Sequence, residues 1–166
     1  MVNHTGTITR TGLLLAATII LQGLRLVIPV PPQVSMFVIG SLVNTCFVLA
    51  VLVVGWRAGL FIALVTPVFA FLEGMLPFLP FVLPVAFANS AFVLICCGLK
   101  RYGLMGLYGA ALVKTIAMYG SFFLLFGMVH FPDAVRHMIL FVMSWPQLVT
   151  GVIGATLGYI IVLRIK

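Results

Sequence analysis

Six apolar runs, separated by short breaks of charge, proline or glycine, make up almost the whole chain. Cutting at those breaks predicts helices at 11–29, 34–54, 57–74, 80–99, 104–128 and 138–163. Each run is close to the roughly twenty residues that cross a hydrocarbon core about 30 Å thick. The connections are short, so neighbouring helices are expected to run antiparallel. The predicted fold is all-α: a compact six-transmembrane-helix bundle forming a single integral membrane domain over residues 1–166.

Two of the runs carry stripes with a helical period. In the fifth, Gly103, Gly106, Ala110, Lys114, Ala117 and Ser121 fall on one face, as steps of three and four residues require. In the sixth, Gln147, Gly151, Gly154 and Gly158 do the same. Small stripes let helix backbones approach closely in a membrane. Lys114, the one long side chain of its stripe, is therefore predicted to face the bundle interior. It lies ten residues into its run, roughly 15 Å along the helix and near mid-membrane. A charge there costs at least about 2.5 kcal/mol on insertion scales, so it calls for a function or a partner.

Composition supports the membrane assignment. The chain is 64% hydrophobic and 7% charged, with mean hydropathy +1.34, more apolar surface than a soluble fold of this length could bury. The nine Lys and Arg against two acids, Glu73 and Asp133, are scattered singly, which argues against a nucleic-acid surface and for topology signals. Arg10, Arg57, Lys100, Arg101, Arg164 and Lys166 mark one side of the bundle, and Arg25 and Arg136 the other. The positive-inside rule then puts both termini in the cytoplasm. No cleaved leader is expected, because "RTGLLLAATIILQGLRLVIPV" runs straight into further membrane segments. The opposite, outer side carries the proline-rich turns "IPVPPQ", "LEGMLPFLP" and "VHFPDAVRH". Such rigid turns suggest a site built on that face.

Other polar groups inside the runs are Gln22, Arg25, Asn44, Thr66, Asn89 and the segment "SWPQLVTG", where Pro146 favours a bend or a local polar site. Asn44, Asn89 and Thr66 can equally bond across helices, Trp145 can serve as a belt residue at the membrane interface, and Arg25 and Arg136 can snorkel to headgroups. Lys114 has a structural alternative too, pairing with a carbonyl or with Glu73. His130, Asp133 and His137 are candidate metal ligands by residue type, but their spacing matches no strong motif and Pro132 splits the segment. They read as a solvated turn leading into the sixth helix, with Asp133 suited to cap it. Cys46, Cys96 and Cys97 lie inside apolar runs as small packing residues. No phosphate loop, zinc-protease or nucleophile-elbow motif is present, so the chain is not expected to be an enzyme, and no metal or cofactor is implied.

Taken together, "WRAGLFIALVTPVFAFLEGMLP", "PVAFANSAFV", "ALVKTIAMY" and "SWPQLVTGVIGATLG", with Gly12 and Ala16 as a small-x-x-x-small pair in the first run, resemble the S components of energy-coupling factor vitamin transporters over the full length. S components are the substrate-binding membrane subunits of these importers. The resemblance implies a six-helix protein of a prokaryotic cell membrane that binds a vitamin-like small molecule near the outer face. It also implies docking through Gly12 and Ala16 on a transmembrane coupling subunit that works with two ATPase subunits. By the same resemblance, Asn89, Lys114, Tyr119, Trp145 and Gln147 would line the site, with Glu73 near its entrance. The main alternative is a membrane scaffold of a cell-wall elongation complex, of similar length and span number, which would bind proteins and no small molecule.

Overall fold

The computed structural model of the chain describes residues 4–27 and 31–165. Among these, all regular structure is helical: α1 (His4–Val27), α2 (Pro32–Leu49), α3 (Trp56–Leu72), α4 (Val82–Leu99), α5 (Gly103–Met128), α6 (Asp133–Val142) and α7 (Trp145–Ile165). A π-helical turn, Ala50–Val54, continues α2, and single 3₁₀ turns, Leu79–Phe81 and Lys100–Tyr102, flank α4. Four continuous helical stretches are long and apolar enough to cross a membrane: Thr5–Val27, Gln33–Val54, Leu79–Met128 and Asp133–Ile165. Trp56–Leu72 is a shorter apolar helix. The chain is an all-helical, multi-pass membrane protein.

Glycine makes two of the reversals possible. Gly55, between α2 and α3, has φ +135°, and Gly103, opening α5, has φ +60°, values that strain a residue with a Cβ. Around the bundle α2 packs on α7, α7 on α5, α5 on α4 and α4 on α3, while α1 lies outside against α2 and α3. The α2–α7 seam is close because Gly154 and Gly158 face the backbone of α2.

The interior is layered along the bundle axis. At the end that holds the Gly55 turn, Phe47, Val48, Val51, Ile62, Phe92, Cys96, Leu107 and Ala155 form one buried apolar cluster. At the α6 end, Ala70, Leu76, Phe81, Met118, Phe122, Phe126, Ile139 and Leu140 form a second. Between them, in chain order on α2, α3, α4, α5 and α7, stand the buried polar residues Asn44, Thr66, Asn89, Lys114 and Thr150. On α3, α4 and α5, Thr66, Asn89 and Lys114 each fall between the residues that their own helix contributes to the two clusters.

Several boundaries differ from those the pattern predicts. α1 begins before residue 11, at His4, and the end of that predicted run, with Pro29, lies outside the described residues, as does Lys166. The predicted sixth helix is two: α6 ends at Val142 and α7 starts at Trp145. Pro146 lacks the amide that would bond the Val142 carbonyl, so the ladder of α6 cannot continue through it. Ser144 caps the break, its hydroxyl donating to the Phe141 carbonyl at 2.6 Å. Asp133 is the first residue of α6 and makes no capping bond, because the cap position is taken by Pro132.

Candidate functional site

A cavity of about 460 Å³ opens at the α6 end of the bundle, within the usual size of a small-molecule site. Its walls come from α1, α2, α3, α4, α5 and α7, and α6 lies over it with Met138 and Val142. Local chemistry explains the room. Pro67 interrupts the hydrogen-bond ladder of α3, and the Thr66 hydroxyl turns back to the Ile62 carbonyl at 2.6 Å. The Gln22 amide of α1 then donates to the Thr66 carbonyl at 3.4 Å. On the facing wall Gly40 lets Thr150 approach α2: a Cβ there would stand 3.1 Å from the Thr150 methyl.

Asn89 is the telling residue of the wall. It is only 4% exposed and lines the cavity, yet among the described residues its side chain has no hydrogen-bond partner. An Asn amide can make up to four hydrogen bonds, and this one presents them to the cavity, where Gln22 Oε1 and Ser35 Oγ on the same wall are also without a partner among the described residues. Gln147, also on the wall, donates only to the Met143 thioether at 3.9 Å. Five of the eight methionines, Met36, Met75, Met118, Met138 and Met143, line the cavity, and among the described residues no aromatic side chain does.

Lys114 is buried in the bundle interior, 4% exposed, but it stands beneath the cavity and not on its wall. Its Nζ donates to Asn44 Oδ1 at 2.6 Å. Asn44 Nδ2 donates to Thr150 Oγ1 at 3.4 Å, and that hydroxyl donates to the Gln147 carbonyl at 3.1 Å. The Phe92 and Phe47 rings flank the ammonium at 5.5 and 5.9 Å, close enough for cation–π attraction. Lys114 is thus connected to the cavity floor through two side chains and contacts no carboxylate among the described residues. Its insertion cost and these attractions are of similar size. Lys114→Met is therefore expected to change stability by less than about 1 kcal/mol net. Combined with Asn44→Leu it should show a coupling of about 1 kcal/mol, measured as a thermal double-mutant cycle in detergent. Strict additivity would mean that the 2.6 Å bond contributes nothing.

The remaining residues singled out from the sequence lie elsewhere. Trp145, 50% exposed, packs on Phe37 and Phe141 at the bundle surface. Tyr119, 43% exposed, stacks with Phe123 along α5. Trp145 and Tyr119 both face outward, as belt residues do. Glu73 sits past the end of α3, half-buried and off the cavity wall, with one carboxylate oxygen near Gly23 of α1 and the other buried without a partner. Burial pushes its carboxyl above the usual range. Gly12 and Ala16 are exposed on the outer face of α1, and nothing lies within 4 Å of where a Gly12 Cβ would be. Of the site residues, then, the cavity unites Asn89 and Gln147 directly and Lys114 through its floor. The methionines, Gln33 and Ser35 were not anticipated, although Met118 and Met143 stand one helical turn from Lys114 and Gln147.

Comparison of the chain with family models, with curated proteins and with solved structures finds no match in any of the three.

Proposed function

We propose that this chain is the substrate-capture subunit of an energy-coupling factor type importer in a prokaryotic cell membrane. It binds a vitamin-like micronutrient in the cavity from outside and delivers it by docking on a coupling subunit driven by two ATPases. The observation that carries this reading is Asn89, a buried, unpartnered amide on the wall of a 460 Å³ cavity. A scaffold that binds only proteins has no need for such a group, whereas a ligand site uses a few placed polar groups on an apolar wall.

Six crossings fit the helices. The stretch Leu79–Met128 reverses at the Lys100–Tyr102 turn, where α4 and α5 fold back on each other, and so crosses twice. With α1, α2, α3 and α7 the count is even, and both ends of the chain share a side. That side also carries Arg57, Lys100, Arg101 and Arg164 and is assigned to the cytoplasm, which leaves the cavity facing out. Catalysis lies outside this subunit; its partners hydrolyse the ATP.

Docking through the bare face of α1 supplies a direct prediction. Gly12→Trp with Ala16→Trp is expected to leave thermal stability unchanged, since Gly12 has open space around it, and to abolish recovery of partner subunits, because bulky side chains prevent close helix approach. The measurement is gentle purification from the native membrane with quantitative proteomics. The unmodified chain should enrich one coupling membrane subunit and two ATPases. Enrichment of cell-shape proteins with no ATPase would replace this reading with the scaffold.

A further inference from the structure

We propose that the cavity takes an elongated monoanion, with a carboxylate at Arg25, an apolar polarisable middle along the methionines and an amide-like end at Asn89. The inference deepens the capture-subunit reading and rests on it. Among the described residues, Arg25 is the one charged side chain on the cavity wall. It lies in the last turn of α1, at the α6 end, exposed and without an ion pair or hydrogen bond among the described residues. Neither acid lines the cavity: Glu73 is turned against α1 at Gly23, and Asp133 begins α6. The full charge on the wall among the described residues is therefore positive, which favours an anion over a cation. A guanidinium engages a carboxylate through a planar two-point fork.

The far end is set by Asn89. It lies seven residues into α4, about 10 Å below the helix start at a 1.5 Å rise per residue. An amide has both donors and an acceptor, and its best complement is a group that presents a carbonyl beside an N–H. Gln147, with only a thioether contact for its amide nitrogen, adds a second group of the same kind. Between the two ends the wall is mostly apolar, with methionines from five segments. Thioethers are flexible and polarisable and adapt to irregular shapes without a flat stacking surface. A ligand with a long apolar waist fits this wall better than a polar one.

Three probes of equal length and different charge test the proposal: suberic acid monoamide, its diamide, and the matching amino-amide of the same chain. Binding to the purified protein in detergent is read by calorimetry. The monoamide should bind at least about tenfold more tightly than the diamide, as a charge-assisted bond predicts, and the amino-amide most weakly. Arg25→Gln should bring the monoamide down to the diamide's affinity, with Arg25→Lys keeping part of the preference. Asn89→Leu should weaken all three. Equal binding of the amino-amide and the monoamide, a preference that survives Arg25→Gln, or no binding of any probe would overturn the proposal. Charge discrimination without co-purifying ATPases would leave this inference standing and remove the importer. Co-purifying ATPases without discrimination would do the reverse.

Discussion

Gly154→Ala is expected to destabilise the protein by about 3 kcal/mol, near the top of the range for overpacked cores. The added Cβ would stand 2.5 Å from Asn44 Cβ, 2.8 Å from the Ser41 carbonyl oxygen and 3.0 Å from the Thr45 nitrogen. Two of those atoms are backbone, so no rotamer change relieves the contact and α2 must move away from α7. The shift would be felt at the cavity, because Asn44 carries the bond from Lys114 to Thr150. A thermal melt in detergent should show the midpoint falling by roughly 6–12 °C, at the 2–4 °C per kcal/mol typical of this chain length. Gly127→Ala is the control. Nothing lies within 4 Å of its Cβ position, and the better helix former should leave stability unchanged or up to about 1 kcal/mol higher. Equal losses at both positions would mean that the α2–α7 seam is not the close contact described.

Asn89→Leu is expected to move stability and binding in opposite directions. Replacing a largely buried amide that lacks a protein partner among the described residues with an apolar group of similar size removes part of a desolvation cost of about 1–3 kcal/mol. The empty protein should therefore melt several degrees higher. The same substitution removes the hydrogen bonds the amide offers a ligand, and affinity should fall at least about tenfold. That pairing of gain and loss marks a group kept for function at some expense of stability. Loss of stability with unchanged binding would instead make Asn89 an ordinary cross-helix bond.

Much of this arrangement could be read from residue spacing, and its limits have physical causes. The stripe Gln147, Gly151, Gly154 and Gly158 does face inward: Gly151 meets Ala111 of α5, and Gly154 and Gly158 meet α2. The 3.6-residue period sets which face of a helix is buried, so these contacts and the burial of Lys114 follow from pattern alone. Height and rotation between helices are not periodic in one sequence. Hence spacing puts Lys114 in the interior but does not show that it stands below the cavity wall and not on it. Pro146 signals a bend in the sixth run, but hydropathy, high before Ser144 and after Gln147, does not register a missing amide and so does not show that the bend is a full break between α6 and α7. Trp145 and Tyr119 stand off the cavity wall, and their chemistry serves a ligand and a membrane interface equally well. The methionines went unnoticed because thioethers look like core filling wherever they stand.

The central claim, that the Asn89 cavity holds a small molecule, is tested most directly by native mass spectrometry of the protein purified from its own membrane. The account predicts a folded chain carrying one non-lipid small molecule, and an Asn89→Leu variant that is equally folded and empty. A chain that arrives bare or carries only phospholipid, or a variant that keeps the same load, would contradict it.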